Sequence, residues 1–284
     1  MRPHRSGAMS FSATLASSIT AGSAALLLGA SIAAAEVVTE EVRYRAGDKE
    51  FTGYLAYDDA AEETRPGVLV VHEWWGLNDH ARNRARMLAA EGYTALAVDM
   101  YGSGRVADHP DEAQGFTQEV YANLAQAEQR FTAAKEVLQQ HETVDDDTIG
   151  AIGFCFGGGI VLHMARTGAD LDGVVSFHGN LAARTQAAPG EVKAEVLVFT
   201  GEADPFVPAE QVDAFIAEME AANAEYEVVG YPGVTHSFTA PEADALAARY
   251  GMPIAYDRHA DTDSWQKMLA FFERVFEEEK AGTD

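Results

Sequence analysis

Between residues 148 and 166 the chain changes period in a way that few folds accept. Thr148 to Phe154 reads as a strand, Cys155 follows, and Gly157-Gly158-Gly159 opens a helix-like run from Ile160 to Arg166. A strand must therefore turn sharply into a helix with one residue at the apex. Glycines on both sides, Gly153 and Gly157, give helix and strand the clearance to pass closely. The apex residue is a thiol. The new helix points its free N–H groups and positive dipole end at the sulfur, which favours thiolate over thiol. A buried cysteine otherwise behaves as a small hydrophobe, so the alternative is an inert Cys155 in a glycine-rich loop. The flanking pattern and the residues downstream favour the nucleophile.

The rest of the chain supplies a sheet for that turn. Val37 to Tyr44 and Phe51 to Tyr57 alternate β-branched or aromatic residues with polar ones around Ala46-Gly47-Asp48, which predicts an antiparallel hairpin at a sheet edge. Val68 to Val71 is continuously apolar, as expected of a strand covered on both faces. Strands follow at Thr94 to Val98, Thr148 to Phe154, Gly173 to Phe177, Val196 to Thr200 and Tyr226 to Tyr231. Helical spacing marks Asp79 to Glu91, one long stretch from Asp111 to Gln140, Val207 to Ala222 and about Asp263 to Glu279. The alternation predicts one α/β domain from Glu36 to Asp284, an eight-stranded, mostly parallel sheet flanked by helices, with Cys155 directly after the fifth strand.

A formal net charge of −25 argues against nucleic acid or an anionic membrane surface as partner, because both would be repelled. Arg2 and Arg5, the uncharged Leu15 to Ala30 and the site Ala33-Ala34-Ala35 predict a secretory signal over residues 1–35 and an exported, periplasmic or secreted mature protein. After cleavage no stable membrane insertion is expected; the alternative is an uncleaved membrane anchor. A single cysteine cannot form an internal disulfide.

A thiol nucleophile needs a base, and the base needs an orienting acceptor. Where such an elbow tops a parallel sheet, these follow in the order nucleophile, acid, histidine, from loops at the C-terminal strand ends. Asp204 follows the seventh strand, with Glu202 as its nearest rival, and His236 follows the eighth. His178 precedes Asp204 and is expected in the pocket instead. His72-Glu73 lacks the second histidine of a helical zinc motif, so no metal is expected, and no nucleotide-binding fingerprint or other cofactor signal is present. The loop after the third strand supplies one oxyanion donor and the residue after the nucleophile the other, which selects the N–H groups of Trp74 and Phe156.

With H-E-W-W-G-L-N from His72, G-F-C-F-G-G from Gly153 and the Asp204 and His236 loops, the chain resembles the dienelactone hydrolase family of the α/β-hydrolase superfamily. The resemblance implies the α/β-hydrolase fold and a Cys155–His236–Asp204 triad that cleaves a lactone through a thioester. It also implies that Glu73 takes part in a substrate-triggered deprotonation of the thiol. Founding members hold the lactone's carboxylate with two arginines; here the second position is Ala240, and the only arginine near the first is Arg105. Trp75, Tyr101, Arg105, His178 and Phe238 are the expected pocket residues, and the loop from Thr239 to Ala260 is expected to shape the entrance. The expected partner is a small lactone or ester. The alternatives are a general carboxylesterase or thioesterase for neutral acyl groups and a non-catalytic exported binding protein on the same scaffold.

Overall fold

The structure, a computed structural model, describes residues 36–60 and 63–283. The expected leader lies outside them. Each apolar run of the sequence becomes a strand: β1 (Val37–Ala46), β2 (Lys49–Asp58), β3 (Arg65–Val71), β4 (Thr94–Val98), β5 (Val144–Phe154), β6 (Gly173–Phe177), β7 (Glu195–Gly201) and β8 (Tyr226–Tyr231). They form one sheet in the order β1-β2-β4-β3-β5-β6-β7-β8. β1 and β2 are the antiparallel hairpin, β2 runs antiparallel to β4, and all later pairings are parallel.

Because side chains alternate across a strand, successive residues feed two separate cores. Leu69, Val71, Val196 and Val198 pack with Phe131, Ile160 and Phe215 from α3 (Leu124–Gln139), α4 (Phe156–Arg166) and α5 (Ala209–Ala222). Val68, Val70, Leu197 and Phe199 pack with Leu88 of α1 (Asp79–Ala90) and Phe272 of α7 (Arg258–Thr283). The β3 side chains from Val68 to Val71 are fully buried, which is why that run carries no polar alternation. Among the described residues no helix is long and apolar enough to cross a membrane.

Two helix assignments need correction. The stretch expected as one helix from Asp111 to Gln140 is two, α2 (Pro110–Tyr121) and α3. Asn123 breaks it by capping α3, its Oδ1 accepting from Gln126 N at 3.2 Å. The terminal helix starts at Arg258 rather than near Asp263, because Asp257 Oδ1 accepts from Ala260 N at 2.9 Å and caps it there. A short helix, α6 (Ala243–Tyr250), lies in the loop after β8.

Candidate active site

The sharp turn is where the sequence places it. Cys155 joins β5 to α4 with φ 52° and ψ −113°, a region that costs a non-glycine residue about 1–3 kcal/mol. Its N–H donates to Phe177 O at 3.0 Å, and its carbonyl accepts from Gly159 N at 3.2 Å. A Cβ on Gly153 would sit 2.2 Å from Gly157 O, and one on Gly157 would sit 2.2 Å from Val71 O. Only glycine lets β3, β5 and α4 approach so closely.

Opposite the sulfur stands His236. Its Nδ1 donates to Asp204 Oδ2 at 2.7 Å, and its ring lines the same cavity as the cysteine. Asp204 is fixed in turn, since its Oδ1 accepts from Phe206 N at 2.8 Å. Glu202, the rival acid, is exposed. Burial disfavours the charged imidazolium, but a Cys155 charge, once the thiol is ionised, and the Asp204 carboxylate outweigh it and raise His236 to about 10.

Glu73 is buried beside this set, and its Oε1 accepts from Ser237 Oγ at 3.2 Å. Its Oε2 has no hydrogen-bond partner among the described residues. Burial, reinforced by Glu242, pushes its pKa up to about 7, against the opposing effects of His236, Ser237 and Arg84. His72 is fully committed: Nδ1 donates to Glu73 O at 2.5 Å, and Nε2 accepts from Met100 N at 3.2 Å. That wiring leaves it no lone pair for a metal. The N–H groups of Trp74 and Phe156 have no acceptor among the described residues, and Tyr101 Oη steadies the first loop by donating to Trp74 O at 2.9 Å.

A cavity of about 210 Å³ opens over Cys155 and His236. Trp74, Phe156, Phe206, Val207, Met252 and Ile254 make it largely apolar, and Ser237, Thr117, Tyr121 and Asn180 complete it. None of the five side chains expected in the pocket is among them. Trp75 is buried in a small cluster with Ala107 and Ala113. Tyr101 points at the Trp74 carbonyl. Arg105 is held by Glu119 at 3.0 Å and by Tyr101 O at 2.6 Å. Phe238 is fully buried, and His178 turns inward with φ 41°, its Nε2 2.8 Å from Thr239 Oγ1. Burial, with His236, His80 and Arg84 nearby, keeps His178 neutral.

The residues missed had signals of unequal strength. Phe206 and Val207 lie within three residues of Asp204, and Met252 and Ile254 belong to the loop expected at the entrance. Tyr121 sits at the break between α2 and α3, which helical spacing alone does not mark. Arg84 carries no local signal: Nη2 donates to Thr239 O at 2.5 Å and to Asp261 Oδ1 at 2.6 Å, pinning the strap that carries His236 and Ser237.

The dienelactone hydrolase family profile matches residues 51–276. Protein usf of Aquifex pyrophilus is 30% identical over 236 residues, covering 81% of this chain and 96% of its own. A protein of Aquifex aeolicus, provisionally named carboxymethylenebutenolidase, is 27% identical over the same share of both. Among solved structures, a dienelactone hydrolase-like promiscuous phosphotriesterase from metagenomic libraries superposes with a TM-score of 0.80 at 37% identity, covering 86% of this chain and 100% of that one.

Proposed function

Because the chain belongs to the dienelactone hydrolase family, we propose that it hydrolyses a lactone or small ester through Cys155, His236 and Asp204. The observation that carries this reading is one cavity in which a strained Cys155 meets a histidine whose far nitrogen is held by a buried carboxylate. The thiolate attacks the carbonyl carbon, and the oxyanion is received by the N–H groups of Trp74 and Phe156. His236, which takes up a proton from solvent once Cys155 is ionised, gives it to the departing alkoxide as the tetrahedral intermediate collapses to a thioester. Water, deprotonated by His236, then attacks the thioester; the second tetrahedral intermediate expels the Cys155 thiolate, which recovers its proton from Glu73, and the acid leaves as His236 returns its proton to solvent. In a lactone the alcohol stays tethered, so a single hydroxy acid results.

Glu73 takes the thiol proton in this scheme only after leaving Ser237. Its pKa near 7 suits a carboxylate that accepts a proton at neutral pH, and the hydrogen bond to Ser237 supports a resting state in which the thiol is not yet activated. Export through residues 1–35 is part of the same proposal.

A second reading, hydrolysis of neutral acyl or phosphoryl esters, is favoured by one observation: the two arginine positions of the family's founding members give the cavity no cation, since Ala240 is apolar and Arg105 is paired. A thiolate facing an apolar cavity is suited to attack a neutral phosphotriester too, the activity that names the 37% identical relative.

The test is steady-state hydrolysis of a carboxylate-bearing dienelactone, neutral aryl esters and an aryl phosphotriester by wild type and Cys155→Ala, with acid-quenched mass spectrometry for an acyl adduct on Cys155. Loss of the nucleophile should lower turnover by on the order of a million-fold. Turnover retained in Cys155→Ala would refute the triad, and product release without an adduct under burst conditions would refute the thioester.

A further inference from the structure

One wall of the apolar cavity departs from the rest. Tyr121, the last residue of α2, and Asn180, in the loop after β6, line it and also line a smaller neighbouring cleft with Arg166 and Arg184. The two arginines differ in what they already hold. Arg166 is spent on Glu218, at 2.9 Å, and on Leu181 O. Arg184 is exposed, lies with its guanidinium carbon 3.9 Å from the Tyr121 ring centroid, and has no carboxylate within ion-pair distance among the described residues.

Tyr121, Asn180 and Arg184 each keep a donor with no acceptor among the described residues. The Tyr121 hydroxyl makes no hydrogen bond among the described residues, and both burial and the nearby Cys155 charge raise its pKa, so it keeps its proton. Asn180 Oδ1 is occupied by Ala182 N at 2.9 Å, which leaves its amide N–H groups free. The tyrosine is also braced. Phe156 meets it edge-on at 5.4 Å, Arg184 stacks on the ring, and beneath the hydroxyl a Cβ on Gly159 would lie at 3.1 Å. The wall therefore offers donors from the Tyr121 hydroxyl, the Asn180 amide and the Arg184 guanidinium. On a chain of net charge −25, which repels anions at long range, a local cation in the cleft next to the cavity of Cys155 has a specific use.

We infer that Tyr121, Asn180 and Arg184 form an anion subsite for the far end of the substrate's acyl arm, so that this wall selects esters or lactones carrying a carboxylate. The inference rests on the reading of Cys155 as nucleophile, which sets the scissile bond in the same cavity. It relocates charge recognition from the two positions that here carry Ala240 and the paired Arg105 to the end of α2 and the loop after β6. The arm's anionic oxygens take the Tyr121 hydroxyl and Asn180 amide directly, and Arg184 closes over them from the cleft side.

The experiment compares mono-4-nitrophenyl glutarate with its methyl-capped twin, equal in reach but neutral. Wild type is expected to prefer the anionic ester, and the preference to fall about tenfold in Arg184→Met, the scale of one charge-assisted hydrogen bond. The loss should appear in KM, recover in part in Arg184→Lys, shrink in wild type as salt is added, and be matched in direction by Tyr121→Phe. A preference that is absent in wild type, or unchanged in Arg184→Met, overturns the subsite. Calorimetric titration of the uncleavable glutaramate into Cys155→Ala separates the two claims. Binding there that weakens about tenfold with Arg184→Met supports the subsite even if the nucleophile is wrong, and binding indifferent to Arg184 sinks it even if the nucleophile is right.

Discussion

Replacing Glu73 by Gln tests how deeply this carboxylate is buried. The group sits at about 7, against an ordinary 4.5, chiefly because burial penalises its charged form. Between those values the folded protein keeps a proton that the unfolded chain has released. Stability is therefore lost as pH rises through that window, and above it the full penalty persists. The gap corresponds to about 3 kcal/mol, at about 1.4 kcal/mol per pH unit. Gln is neutral throughout and retains an oxygen for Ser237, so it escapes the penalty. Urea unfolding of wild type and Glu73→Gln at pH 4.5, 6, 7.5 and 9 should show the variant gaining on wild type by about 3 kcal/mol across the series. At neutral to alkaline pH the melting temperatures should diverge by about 6–12 °C. Carboxylates elsewhere titrate equally in both proteins and cancel. A stability difference that does not change with pH would refute the buried, proton-holding Glu73.

Gly157→Ala should cost at least about 3 kcal/mol and abolish turnover, since its Cβ would meet the Val71 carbonyl at 2.2 Å and neither backbone can yield; an active, stable variant would show that the turn tolerates a wider approach. Arg84→Met leaves Asp261, 15% exposed, without its cation and Thr239 O without its strongest donor. A loss of about 3–5 kcal/mol is expected in urea unfolding, with kcat falling as the strap under His236 loosens, and Arg84→Lys should recover only part because one ammonium does not reproduce the fork. Expression of the full chain in an exporting bacterial host should yield a mature protein whose N-terminal sequencing starts at Glu36; full-length chain in the membrane fraction would favour the anchored alternative.

Much of the architecture is legible in the sequence because its signals are contiguous. The eight strands are apolar or alternating runs bounded by turn residues, and the sharp turn at Cys155 is a seven-residue string in which Gly153 and Gly157 answer to contacts within the same short segment and with β3. Asp204 and His236 are brought together for a related reason: each lies in the loop after a strand of a parallel sheet, and such strand ends share one edge. Where side chains point was another matter. Arg105 looks available in the sequence until Glu119, on the facing helix, claims it, and His178 looks like a pocket residue until a positive φ turns it into the packing behind His236. Tyr121 reaches the cavity from the end of α2, just before Asn123 caps α3. Arg84 joins partners 155 and 177 residues away. The number of strands, the edge hairpin and the elbow follow from local periodicity and steric need. The walls of the cavity, the resting partner of Glu73 and the pairing of each arginine depend on which distant groups reach a charge first, and only the folded chain brings those groups together.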